Sequence, residues 1–138
     1  MIMCLHTKTW ALFLLKLTIK NWKPNDKVST RPGFVNVPIL EATKPGASLK
    51  LKFSGKAIGL FVTSGPDAGI IEYSIDGSEF KQVDQFTQWS KQLHLPWLIL
   101  FDDELTIGKH TLMMRISTAK NPLSVGNACR IHQIVVNN

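Results

Sequence analysis

The densest gathering of chemistry-bearing side chains runs from Gln85 to Trp97, where Phe86, Trp89 and Trp97 share thirteen residues with Ser90, His94 and several amides. Aromatic faces beside hydrogen-bonding groups suit a pyranose ring, whose C–H face stacks while its hydroxyls seek polar partners. Trp89, His94 and Trp97 are therefore candidate ligand-binding residues. The same spacing also fits Phe86 and Trp97 as core residues and His94 as a satisfied structural histidine. An esterase reading would use His94 with Ser90 and Asp84, and proximity in sequence is its one support. A serine hydrolase needs a nucleophile on a tight turn, a base in reach and oxyanion donors. The nearest approach to Gly-x-Ser-x-Gly is Pro122-Leu123-Ser124-Val125-Gly126, with proline in place of the first glycine of the elbow. The chain has no Gly-Asp-Ser and no Asp-x-x-His, so no residue is assigned a catalytic role.

Arg115 and Arg130 each fall within an expected strand, and a buried guanidinium there needs a carboxylate such as Asp67 or Asp76. The structural role is preferred; the functional one would set Asp67, Arg115 and Arg130 on a concave ligand-facing surface. Calcium through Asp67 or Asp76 is conceivable, yet both have turn-forming roles that suffice. Cys129 and His132 lack the further Cys or His that a tetrahedral metal site requires, and neither a metal nor a cofactor is expected. Asp102-Asp103-Glu104 reads as a solvated corner. Gly55 and Gly59 do not open a helix, which removes a dinucleotide or Walker-type phosphate loop.

These residues need elements to hold them. A chain of 138 residues supports one core, and 44% hydrophobic with 19% charged residues describes an ordinary globular protein. The net charge of +6 is concentrated at the start: Lys8, Lys16, Lys20, Lys23 and Lys27 against Asp26 leave +4 in the first 27 residues and +2 in the rest. Without an arginine cluster or interleaved aromatics, that is a solvated basic leader and no nucleic acid is expected as partner. The apolar run Trp10 to Leu15 is far short of the ~20 residues that span a bilayer, so no membrane span is expected. It also makes a poor signal peptide, with no basic residue before Lys8. Residues 1–30 are read as a leader or linker, a remnant rather than a degraded export signal, and Pro24 and Pro32 mark the boundary to a domain at 31–138.

Inside that domain the period is two. Leu49, Leu51 and Phe53 alternate with Ser48, Lys50 and Lys52, and Ile58, Leu60 and Val62 share a face in the next run. Gly69 to Ile75 ends on Asp76-Gly77, a hairpin turn signal with Phe80 to Val83 as the returning arm. Val35 to Leu40 contains Pro38 and is placed at a sheet edge. Leu95 to Phe101, His110 to Ser117 and Cys129 to Val136 complete the strands, with Asp84 to Leu93 as a long loop or single helical turn. Some eight short strands and no helical period predict an all-β protein, an antiparallel two-sheet β-sandwich or jelly roll.

Seven segments in order carry a further likeness: Arg31-Pro-Gly-Phe-Val-Asn-Val-Pro38, Phe53-Ser-Gly-Lys-Ala-Ile-Gly59, Ser64-Gly-Pro-Asp-Ala-Gly69, Tyr73-Ser-Ile-Asp-Gly77, Trp89-Ser-Lys-Gln-Leu-His-Leu-Pro-Trp97, Gly108-Lys-His-Thr-Leu112 and Gly126-Asn-Ala-Cys-Arg-Ile131. Together they resemble the ancillary, non-catalytic β-sandwich domain of bacterial SGNH/GDSL-type hydrolases. The resemblance implies a galactose-binding-domain-like sandwich in an esterase context, with the serine nucleophile, oxyanion groups and catalytic histidine on a separate α/β domain. It implies a glycan ligand, an SGNH hydrolase domain as partner in cis or in trans, and a periplasmic or extracellular setting. A homo-oligomer through exposed edge strands is the remaining expectation.

Overall fold

The computed structural model describes residues 2–4, 12–15 and 17–137. Among them there is no helix, and so none long and apolar enough to cross a membrane. The strands are β1 (Ile2–Cys4), β2 (Leu12–Leu15), β3 (Thr18–Trp22), β4 (Ser29–Thr30), β5 (Val37–Ala42) and β6 (Ser48–Ser54). They continue as β7 (Ala57–Ser64), β8 (Ile70–Ile75), β9 (Lys81–Asp84), β10 (Leu93–Asp102), β11 (Lys109–Ile116) and β12 (Cys129–Asn137). One sheet runs β3-β5-β12-β7-β10-β4, with β1 also on β12; the other runs β2-β6-β11-β8-β9. All pairings are antiparallel except the short parallel contact of β4 with β10. The two-sheet sandwich expected from the alternation is the observed architecture.

The alternation builds the core directly. Leu49, Leu51 and Phe53 of β6 meet Leu112, Met114 and Ile116 of β11 from one sheet, and Ile58, Leu60 and Val62 of β7 face them from the other. Burying such aliphatic side chains contributes about 1.5–3 kcal/mol each, which makes this layer the main source of stability. Cys129 is buried in it, and burial pushes its thiol up to about 12. At the Asp76-Gly77 turn both residues have positive φ, 53° and 75°, as that dipeptide tolerates, and β9 returns along β8.

Two expectations differ from what is observed. Pro38 was placed at a sheet edge, but β5 lies between β3 and β12. Its ladder with β12 uses only Leu40 to Ala42, so Pro38 sits outside it and its missing donor is not needed there. The segment read as a leader also contributes strands: Thr18–Trp22 pairs with β5, and Ser29–Thr30 pairs with β10 at the opposite side of the sheet. Residues 23–28 therefore cross that sheet. They do so on its outer face, where Arg130 and Thr63 point because their neighbours Cys129, Ile131 and Val62 point into the core. Trp22 is 2% exposed yet lies outside the main core, buried beneath this strap beside Arg130 and His94. Polarity and two prolines made a fixed strap look like a linker.

Candidate functional site

The loop between β9 and β10 is held in place by several internal hydrogen bonds. The Asp84 carboxylate accepts from Phe86 N at 2.9 Å, and Ser90 Oγ accepts from Thr87 N at 2.7 Å. Ser64 Oγ donates to Gln85 O at 2.5 Å, so the 2.7 Å contact between Ser64 and Ser90 must use the Ser90 hydrogen. Gln85 in turn donates to the carbonyls of Gly69 and Ala128. Ser90 and Gln85 are almost wholly buried, while Trp89 between them stands 50% exposed. A pinned loop holding a half-exposed indole loses little conformational freedom when a ligand stacks on it.

Trp97 meets Trp89 from β10. It shares the core-facing side of the strand with Ile99 and Phe101, but β10 is near the sheet edge and 38% of the residue stays exposed. The two indoles lie 5.9 Å apart between centroids, tilted by 51°. With Leu95, Pro96 and Arg31 they line an open groove of about 340 Å³. Arg31 is exposed and has no ion pair among the described residues; its backbone N–H donates to His94 O at 3.1 Å, which sets it beside the groove.

The structure thus brings together Trp89 and Trp97 and places the other four candidates elsewhere. His94 is 1% exposed and lies under the strap. Its Nε2 is 3.0 Å from each oxygen of Asp26, and its ring meets Trp22 edge-on at 5.1 Å. Asp67 and Arg130 form a bidentate pair with both distances 2.8 Å, and Arg130 Nε donates to Glu41, also at 2.8 Å. Burial works against the Asp67 and Glu41 carboxylates, but the Arg130 guanidinium, with Lys20 beside Glu41, outweighs it and holds both below their ordinary range. Arg115 is on the other sheet, bound to Glu72 at 2.6 Å and lying over the Phe80 ring at 4.0 Å. A carboxylate thus holds each arginine, Arg130 in a buried network and Arg115 through Nε on an exposed face. Arg31 was missed as a site residue, although it opens the first of the ordered family-like segments.

The esterase arrangement does not form. Ser90 Oγ is engaged with Ser64 and Thr87, His94 with Asp26, and Asp84 with Phe86 and Asn121. The three residues adjoin in sequence but share no hydrogen bond. Among the described residues no cluster of three His, Cys, Asp or Glu side chains could hold a metal ion.

No family model matches the chain, and no curated protein matches it by sequence. Solved structures do. A two-domain esterase (CEX) active on acetylated mannans superposes with a TM-score of 0.69 at 13% identity, over 99% of this chain and 35% of that one. The chain therefore spans about a third of that esterase. A CBM35 from Cellvibrio japonicus gives 0.56 at 12% identity over 100% of this chain and 93% of that one. A CBM35 from Paenibacillus barcinonensis gives 0.54 at 9% identity over 92% of both. The chain has the jelly-roll-like β-sandwich fold of CBM35 domains, the same fold that forms one part of the two-domain esterase.

Proposed function

We propose that this chain is a carbohydrate-binding accessory module that serves an ester hydrolase of the SGNH type, binding glycan in the groove between Trp89 and Trp97. The observation that carries the reading is the indole pair, 5.9 Å apart and partly exposed, with Trp89 on a loop pinned by the Ser64, Ser90 and Thr87 hydrogen bonds. Stacking suits the apolar face of a pyranose, and Arg31 supplies donors for its oxygens. The structural neighbours support the same class: CBM35 domains, and an esterase active on acetylated mannans and co-crystallised with mannopentaose. The hydrolase would be a domain in cis, since the chain covers 35% of that esterase.

Calorimetric titration of the intact chain with mannopentaose and cellohexaose tests this. Saturable binding at millimolar ligand is expected, weakened about 5- to 30-fold by Trp97→Ala, since the loss of one stacked ring is worth roughly 1–2 kcal/mol. Absence of binding to either oligosaccharide, or binding that Trp97→Ala and Trp89→Ala both leave intact, would overturn it.

A further inference from the structure

A second cleft lies on the other sheet, at the end of the sandwich where β6 finishes and β11 begins. It has a volume of about 430 Å³ and is lined by Lys52, Phe53, Ser54, Lys109, His110 and Thr111. The register explains the grouping. Lys109 is paired with Ser54 and Thr111 with Lys52, so both lysines stand on the outer face of adjacent strands, a diagonal step apart. Lys50 follows on the same face, opposite Met113. None of these three lysines has a carboxylate within ion-pair distance among the described residues, whereas Arg115 further along is paired with Glu72.

An ion-paired histidine lies beneath the cleft. His110 is 8% exposed; its Nδ1 is 2.5 Å from the Asp76 carboxylate and its Nε2 is 2.6 Å from the Thr106 carbonyl. Both partners only accept hydrogen bonds, so both ring nitrogens must donate, and a ring that donates twice is an imidazolium. The Asp76 carboxylate balances that charge, and its second oxygen accepts from Thr111 N at 2.8 Å, so the histidine pair leaves the lysines as the unpaired charge of the cleft. Asp102 is the further acid whose field reaches His110. Lysines a diagonal step apart, with no carboxylate to pair them among the described residues, repel one another, and an anionic ligand would relieve that repulsion. The Ser54 and Thr111 hydroxyls, which make no side-chain hydrogen bond among the described residues, add hydrogen-bonding groups for a sugar that carries an acid group.

We propose that this cleft is a second ligand site, separate from the indole groove, which takes an acid group of an anionic polysaccharide between Lys52 and Lys109. It does not depend on what the indole groove binds. The test uses the intact chain at 50 mM salt with polygalacturonate, uncharged dextran and a duplex oligonucleotide as probes, followed by affinity electrophoresis. Retardation by polygalacturonate but not by dextran is expected, falling as salt is raised because exposed charge contacts are screened. The Lys52→Ala/Lys109→Ala variant should bind about tenfold more weakly. A control with the same charge change, Lys81→Ala/Lys120→Ala, should bind as the parent does. No retardation by polygalacturonate, equal losses in the two double variants, or equally tight binding of the duplex would overturn the proposal. All the substituted lysines are exposed, so the variants are expected to fold, which a matching thermal midpoint verifies.

Discussion

Replacing Asp67 with alanine should separate a structural role for Arg130 from a ligand-binding one. The guanidinium is 5% exposed, with two nitrogens on Asp67, one on Glu41, and the Trp22 ring 5.2 Å from its centre. Removing one partner of a buried ion pair typically costs about 3–5 kcal/mol, because the other charge is left buried and unpaired. Here Glu41 remains, and the Asp67 side chain is 27% exposed, so water can reach part of the gap. We expect a loss of about 2–3 kcal/mol, which for a chain of this length lowers the thermal midpoint by roughly 6–10 °C. Urea unfolding at pH 7 is the assay, with the midpoint moving and the slope unchanged. The loss should shrink in acid. The folded carboxylate is held below its ordinary value of 3.8, so its contribution is present above that value and is lost as pH falls through the lowered one. Parent and variant should converge there. A loss under ~0.5 kcal/mol at pH 7 would refute the reasoning and return Arg130 to the list of groups available to a ligand.

Two further outcomes follow from close contacts. A Cβ at Gly65 would lie 2.2 Å from His94 Nδ1, and Asp26 on the far side of the ring blocks retreat, so Gly65→Ala should destabilise by about 2–3 kcal/mol in chemical denaturation. An alanine variant as stable as the parent would mean that His94 is loosely held. The hydrogen bonds to Asp76 and Thr106 raise His110 above its ordinary 6.5, so its contribution is complete below 6.5 and is lost as pH rises through the raised value. The parent should therefore lose stability on going from neutral to alkaline pH, and His110→Gln should lack that slope. An identical slope in the variant would assign the titration to another group.

The sequence made the sandwich legible because its main strands bury one face each, and a period of two is a local signal. Leu49, Leu51 and Phe53 announce their own orientation, and Asp76-Gly77 announces its turn. Trp22 announced nothing, because what buries it is Arg130 and His94, residues remote in sequence, and the polar residues around it are those of any linker. Within the site, Trp89 and His94 looked alike as candidates five residues apart. Their difference lies in Asp26, which claims the histidine, and in Ser90 and Ser64, which lock the loop so that the indole turns outward. Sequence marks which side chains can stack or bond, but competition among distant partners decides which of them stay available.

The strap also has a mechanical side. From Trp22 to Ser29 the chain takes seven steps, which fully extended reach about 25 Å. Six strands laid flat at ~4.8 Å spacing would put the outermost pair roughly 24 Å apart. The chain bends at Asn25, Asp26 and Lys27, so it has no such length to give, and the Trp22 ring sits 5.1 Å from His94 although their strands are four places apart in the sheet. The sheet must curl toward the strap, as a bow curls toward its string. The strand that carries Trp97 is thus tied to the opposite edge of its sheet through Trp22, Asp26 and His94.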